Sequence, residues 1–145
     1  MVVDTSGSGG IRELRRTNKG GYIIKAFHWQ PDVSTDQQSL FIDLTSRSRF
    51  TLCPRGYGAT SYRLYEAMQL GSIPIYISDK HLLPWSDELD WTDFCIVSAP
   101  STQYDDLDNF IKSLTETHVR KMQEKIKSIY DLYFTIPAVY NQILR

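Results

Sequence analysis

The stretch from Ser48 to Asp90 constrains the fold more than any other part of the chain. A short apolar run, Phe50 to Cys53, enters the turn Pro54-Arg55-Gly56-Tyr57-Gly58. A helix follows from Thr60 to Leu70, then a second apolar run from Ile73 to Ser78 and an acidic loop. Leu64, Ala67, Met68 and Gly71 fall at the i, i+3, i+4, i+7 spacing of a buried helical face. Gly71 suits the helix end, where a left-handed residue is wanted. Pro74 lies near the start of the second strand, a tolerated position. Strand, turn, helix, strand in this order is a βαβ unit, which brings two strands together in parallel.

In open parallel sheets, ligands sit beyond the carboxyl ends of the strands. Pro54 to Gly58 and Asp79 fall at such ends. Backbone N–H groups at the turn and the helix start can hold an anion there. Gly56 and Gly58 either let a ligand approach the backbone closely or take positive φ. The turn is not a P-loop, since no Gly-Lys-Ser/Thr follows, and it lacks the three-glycine dinucleotide spacing. By itself the turn is a weak signal, and a purely structural strand-to-helix connection is the better reading of it alone. Arg63 and Glu66 emerge three residues apart near the helix start. One can neutralise phosphate and the other can accept hydrogen bonds from sugar hydroxyls, a combination that suits a nucleotide-sugar. An intrahelical ion pair, worth about 0.2–0.5 kcal/mol, explains the same spacing, and Ser61 can be a plain helix cap.

Charge is uneven along the chain. Ile11 to Arg63 carries nine Lys/Arg against four Asp/Glu, whereas Asp79 to Asp108 carries eight Asp/Glu against one Lys. The basic excess thus accumulates around the proposed anion site, although an uneven solvated surface would look the same. A net charge of -1 argues against a dedicated nucleic-acid binder. Cys53 and Cys95 lie in apolar runs and read as buried thiols. His28, His81 and His118 show no metal-ligand spacing. No apolar run is long enough to span a membrane.

The rest of the chain reads as follows. Residues 1–10, rich in Gly and Ser, form a flexible start, and 11–145 one domain. A short basic helix is expected over Ile11 to Thr17, ended by Gly20-Gly21, then a strand over Tyr22 to His28 and a loop over Trp29 to Asp36. Ser39 to Ser46 is expected to be a short helix and Phe94 to Ser98 the last strand. Ser101 or Thr102 would cap a helix with Asp105, Asp106 and Asp108 in its first turns and Tyr104, Leu107, Ile111 and Leu114 as its stripe. Val119, Met122, Ile126, Ile129 and Tyr133 mark the next helix, and Pro137 interrupts it before a terminal one. Leu82-Leu83-Pro84-Trp85 is a packed loop or a lid, with Trp85 expected to pack.

Several of these segments together resemble the exostosin-like glycosyltransferases. The resemblance runs through Phe50-x-Leu-Cys-Pro-Arg-Gly, Ser61-x-Arg63-x-x-Glu66-Ala67 and Gly71-Ser72-Ile73-Pro74. It continues in Asp79-x-x-x-Leu83-Pro84-Trp85-Ser86 and Leu89-Asp90-Trp91-x-x-Phe94, with a weaker match upstream at Arg12. It implies an α/β fold: a Rossmann-like parallel sheet flanked by helices, the C-terminal half of a GT-B enzyme, with C-terminal helices. Arg63 and Arg12 would contact the diphosphate, Gly56 and Ser61 would shape its turn, and Glu66 would hold the ribose. Arg55 and Asp79 complete the expected nucleotide-sugar site.

By the same resemblance the donor is a UDP-sugar and the acceptor a glycan, with no metal or other cofactor. Asp106-Leu107-Asp108 belongs to a helix and not to a metal-binding donor loop. Tyr57 stands where some members carry a basic residue. The N-terminal acceptor domain is expected to be missing from this chain and supplied elsewhere, so no catalytic base is assigned. By the resemblance, eukaryotic members usually work in the Golgi lumen behind an N-terminal membrane anchor, which is expected to be missing here; a microbial or viral relative would be cytosolic. Two other readings stand beside this one: a noncatalytic interaction or regulatory module, and an unrelated Rossmann-like phospholigand binder.

Overall fold

A computed structural model describes residues 14–16, 22–24, 34–80 and 82–144. The chain divides into two compact units, Met1–Asp43 and Leu44–Arg145. In the first, strands β1 (Leu14–Arg16) and β2 (Tyr22–Ile24) pair antiparallel, with Leu14 opposite Ile24 and Arg16 opposite Tyr22. The helix expected over Ile11 to Thr17 is therefore wrong in its described part. Pairing with β2 gives these backbone groups partners across a ladder, and tertiary pairing overrides a weak local helix preference. The strand expected over Tyr22 to His28 forms at its beginning, but in this pair and not in the parallel sheet. Residues 1–10, the rest of the predicted basic helix and the loop positions Pro31 and Asp32 lie outside the described residues.

Helix α1 (Thr35–Ser46) begins earlier than its apolar residues indicate. Ser34 Oγ accepts from the Gln37 N–H, and Gln37 Oε1 accepts from the Ser34 N–H, a reciprocal capping box that fixes the start.

In the second unit, β3 (Phe50–Pro54), β4 (Ile73–Ile77) and β5 (Ile96–Ser98) form a parallel sheet in the order β3-β4-β5. Helix α2 (Tyr62–Gln69) makes the crossover from β3 to β4. Its Leu64, Ala67 and Met68 are buried, and Gly71 just beyond it has φ of 76°, as the helix end requires. Pro74 sits in the central strand without disturbing it. Ile73 N–H donates toward β3, to Arg49 O at 2.9 Å, so the missing donor of Pro74 falls on the β5 side. The β4–β5 ladder begins only at Ile75 opposite Ile96, one residue later.

A short turn of 3-10 helix (Trp91–Asp93) precedes β5, and three helices follow it: α3 (Tyr104–Ser113), α4 (Glu116–Tyr133) and α5 (Ile136–Ile143). Val119, Met122, Ile126 and Ile129 of α4 join Cys53, Leu64, Ile73, Tyr76 and Phe94 in one buried cluster. Neither Ser101 nor Thr102 caps α3; the Thr102 N–H instead closes a turn onto Ala99 O at 3.0 Å, and Gln103 takes the cap position. None of the α3 residues is fully buried, so its stripe is only half covered. Thr115 and Thr135 cap α4 and α5 through their side chains. Trp85 packs on Tyr133 at 6.4 Å between ring centroids and the Trp91 indole N–H donates to Pro84 O, so Trp85 packs as expected while Leu82 stays exposed. Among the described residues no helix is long and apolar enough to cross a membrane.

Candidate functional site

The carboxyl edge of the sheet brings together the glycine turn, Arg55 and Asp79. The βαβ connection sets this up, because β3 and β4 run in register from Phe50 opposite Ile73 to Pro54 opposite Ile77. Both strands therefore end at the same level, and the turn after β3 and the loop after β4 leave side by side. The Arg55 N–H extends the ladder by one bond, to Ile77 O at 2.9 Å. Gly56 N–H then donates to Thr60 O at 3.3 Å and closes the glycine turn.

Tyr76 links the two exits. It is fully buried in the central strand, and its hydroxyl donates to Ala59 O in the turn and lies 3.0 Å from Lys80 O beyond β4. Ser78, also fully buried, donates to the same Lys80 carbonyl at 2.6 Å and accepts from the Lys80 N–H at 3.0 Å. The turn and the loop after β4 are thus tied to the core through side-chain hydroxyls. Sequence reasoning placed Tyr76 and Ser78 only as members of a buried strand. The signal was present, since polar atoms inside an apolar run must find partners.

Of the two reasons for glycine in the turn, positive φ does not apply: Gly71 is the only described glycine with it. A Cβ at Gly56 would come no closer than 3.9 Å, to Thr60 O, and one at Gly58 would meet nothing within 4 Å. The chain itself leaves that space open.

Arg55 and Asp79 come together across the strand ends. Arg55 Nε lies 2.5 Å from Asp79 Oδ1 and its guanidinium reaches Oδ2 at 3.5 Å, with side chains 33% and 51% exposed. The pair is open enough to water that it contributes little to stability. Its effect is positional, holding one guanidinium at the edge. Ser61 takes the cap position of α2 in extended backbone, yet its side chain makes no capping hydrogen bond. The plain helix-cap reading of this hydroxyl is therefore not what the fold uses.

Arg63 is half-buried and Glu66 exposed on α2, and no ion pair joins them among the described residues. Both charges act on the Cys53 thiol at the end of β3. Burial raises that thiol far above its ordinary value and nearby Cys95 adds to the rise; Arg63 lowers it and Glu66 raises it further. Burial likewise pushes the Cys95 thiol up to about 12. Both cysteines are free, buried and protonated at neutral pH, which makes them packing groups and not nucleophiles.

Arg12 lies outside the described residues. Among those described, no group of three His, Cys, Asp or Glu is placed to hold a metal ion. What the edge offers is the first turn of α2 with its N–H groups directed outward, one half-buried guanidinium, a second held by a carboxylate, and an exposed acid.

Comparison with known proteins shows which family the chain resembles. The sequence model of the Exostosin GT47 domain matches residues 7–114. The exostosin-1 homolog of Caenorhabditis elegans is 31% identical over 104 residues, 71% of this chain and 27% of that protein. A probable beta-1,4-xylosyltransferase of Arabidopsis thaliana is 34% identical over 122 residues, 77% of this chain and 29% of its own length. A probable glucuronosyltransferase of Oryza sativa subsp. japonica is 36% identical over 91 residues, 62% of this chain and 22% of its own. The chain therefore spans less than a third of the length of these relatives.

Proposed function

The chain belongs to the exostosin GT47 family, and on that premise we propose that it is the donor-binding half of a GT-B glycosyltransferase. Joined to an acceptor domain, it transfers a sugar from a UDP-sugar to a hydroxyl of a glycan. The observation that carries this reading is the shared edge of β3 and β4. There the glycine turn with its open face leads into the first turn of α2, the helix that carries Arg63 and Glu66.

In the transfer, the bond between the anomeric carbon and the diphosphate oxygen breaks and a bond to the acceptor oxygen forms. The acceptor proton passes to a base, and UDP leaves with the bond's electron pair. Charge grows on the leaving diphosphate, so groups that favour it more in the transition state than in the ground state speed the reaction. The N–H groups at the start of α2, the Ser61 hydroxyl and the Arg63 guanidinium fill that role, on a turn that Gly56 helps to shape. Arg55, braced by Asp79, adds cationic character at the same edge. Glu66 accepts from the ribose hydroxyls. Cationic side chains and the helix dipole neutralise the diphosphate in the place a metal ion would otherwise take. If the source is eukaryotic, the enzyme belongs in the Golgi.

Titration calorimetry of the chain with UDP, uridine and inorganic phosphate tests the reading. UDP is expected to bind more tightly than either part alone. Absence of UDP binding up to millimolar concentrations overturns the donor site.

A further inference from the structure

We propose that Tyr57 and Tyr62 form an aromatic rim on either side of the diphosphate seat and stack on the ring faces of the nucleotide-sugar, its uracil and its pyranose. The proposal rests on the donor-site reading above and adds the groups that hold the uncharged rings. Relative exposure is 107% for Tyr57 and 88% for Tyr62, against full burial of Tyr76 in the adjacent strand. Tyr57 is the one bulky residue in a turn otherwise made of Gly56, Gly58, Ala59, Thr60 and Ser61. The glycines on either side of it leave open space, since a Cβ at Gly56 would come no closer than 3.9 Å to Thr60 O and one at Gly58 would meet nothing within 4 Å.

That turn is held firmly. The Gly56 N–H to Thr60 O bond closes it and the Tyr76 hydroxyl pins it at Ala59 O. A fully exposed aromatic on a pinned turn is pre-organised, and a tyrosine has only two side-chain torsions to lose on binding. Tyr62 is the first residue of α2, four positions before Glu66, so ring and carboxylate lie on one helical face. Tyr65, Trp91 and Tyr133 pack against other aromatic rings, whereas neither Tyr57 nor Tyr62 does so among the described residues. Two exposed ring faces next to the backbone N–H groups at the start of α2 suit a ligand that is both flat and charged. A nucleotide-sugar has both properties. Amides and arginine take its phosphates, and the two rings take what flanks them.

The test titrates wild type, Tyr57→Ala, Tyr62→Ala and the two Phe counterparts with pyrophosphate, UDP and UDP-xylose. Stacking predicts unchanged pyrophosphate affinity throughout and a loss of about tenfold in UDP-xylose affinity in each Ala variant. A loss already present with UDP assigns that ring to the uracil; a loss seen only with UDP-xylose assigns it to the pyranose. The Phe variants keep wild-type affinity, because the face and not the hydroxyl binds. Ala variants that match wild type on all three ligands overturn the rim while leaving the donor site standing. Equal losses on all three, pyrophosphate included, overturn it in favour of a disturbed turn. If wild type binds none of them, both readings fall together.

Discussion

Tyr76→Phe removes one hydroxyl and tests whether the core really holds the binding edge. The ring stays buried, so the apolar contribution is retained. A phenol has a single proton, and Lys80 O already receives the Ser78 hydroxyl at 2.6 Å. The carbonyl that loses its partner is therefore that of Ala59, in the glycine turn. Depriving a partly buried carbonyl of its donor costs about 1–2 kcal/mol. For a chain of 145 residues that is a fall in Tm of about 3–7 °C. Urea denaturation gives the stability directly, and calorimetry on the same samples gives UDP affinity. A turn released from Ala59 must be ordered again on binding, at about 1 kcal/mol per residue fixed, so UDP is expected to bind about fivefold more weakly. A variant with wild-type stability and wild-type UDP affinity refutes the anchoring role. Lost stability with unchanged affinity refutes the turn's part in binding.

Other substitutions separate the roles assigned along the edge. Arg63→Ala is expected to weaken UDP more than uridine, because a phosphate contact is lost; equal losses in calorimetry contradict that role. Glu66→Ala is expected to reduce uridine affinity by about 1–3 kcal/mol if charged hydrogen bonds to the ribose disappear, and unchanged affinity in a folded variant leaves the acid as surface charge. The buried thiols make stability fall in alkali. Cys95 ionises only near pH 12 when folded but near 9 when unfolded, so its contribution is complete below about pH 9 and is lost as the pH rises from there. The slope is about 1.4 kcal/mol per pH unit for each such thiol. Denaturation curves between pH 8 and 10 are expected to show this, with a shallower slope for Cys95→Ala; an unchanged slope in that variant refutes the assignment.

The second unit was readable in sequence wherever neighbouring residues carry the pattern. Leu64, Ala67, Met68 and Gly71 announce α2 and its end because a helix repeats its buried face within four residues. The apolar runs around Cys53 and Ile75 announce strands because both faces of a parallel sheet are covered. The capping box at Ser34 and Gln37 was equally local and went unread, which cost α1 its first turn. The strand at Leu14–Arg16 was not readable, since three residues become a strand only when another segment pairs with them.

The candidate site divides in the same way. A glycine-rich turn ahead of a helix bearing Arg63 and Glu66 is a short-range pattern, and sequence alone suffices to locate it and the family it resembles. Only the folded chain decides that Arg55 is held by Asp79 from the next strand, that Ser61 caps nothing through its side chain, and that Tyr76 pins the turn from inside. Each of those depends on residues far apart in sequence that meet when two strands end at one level. Local propensity and periodicity are properties of a segment. Partnership across a sheet edge is a property of the register, and the register exists only once the whole unit has packed.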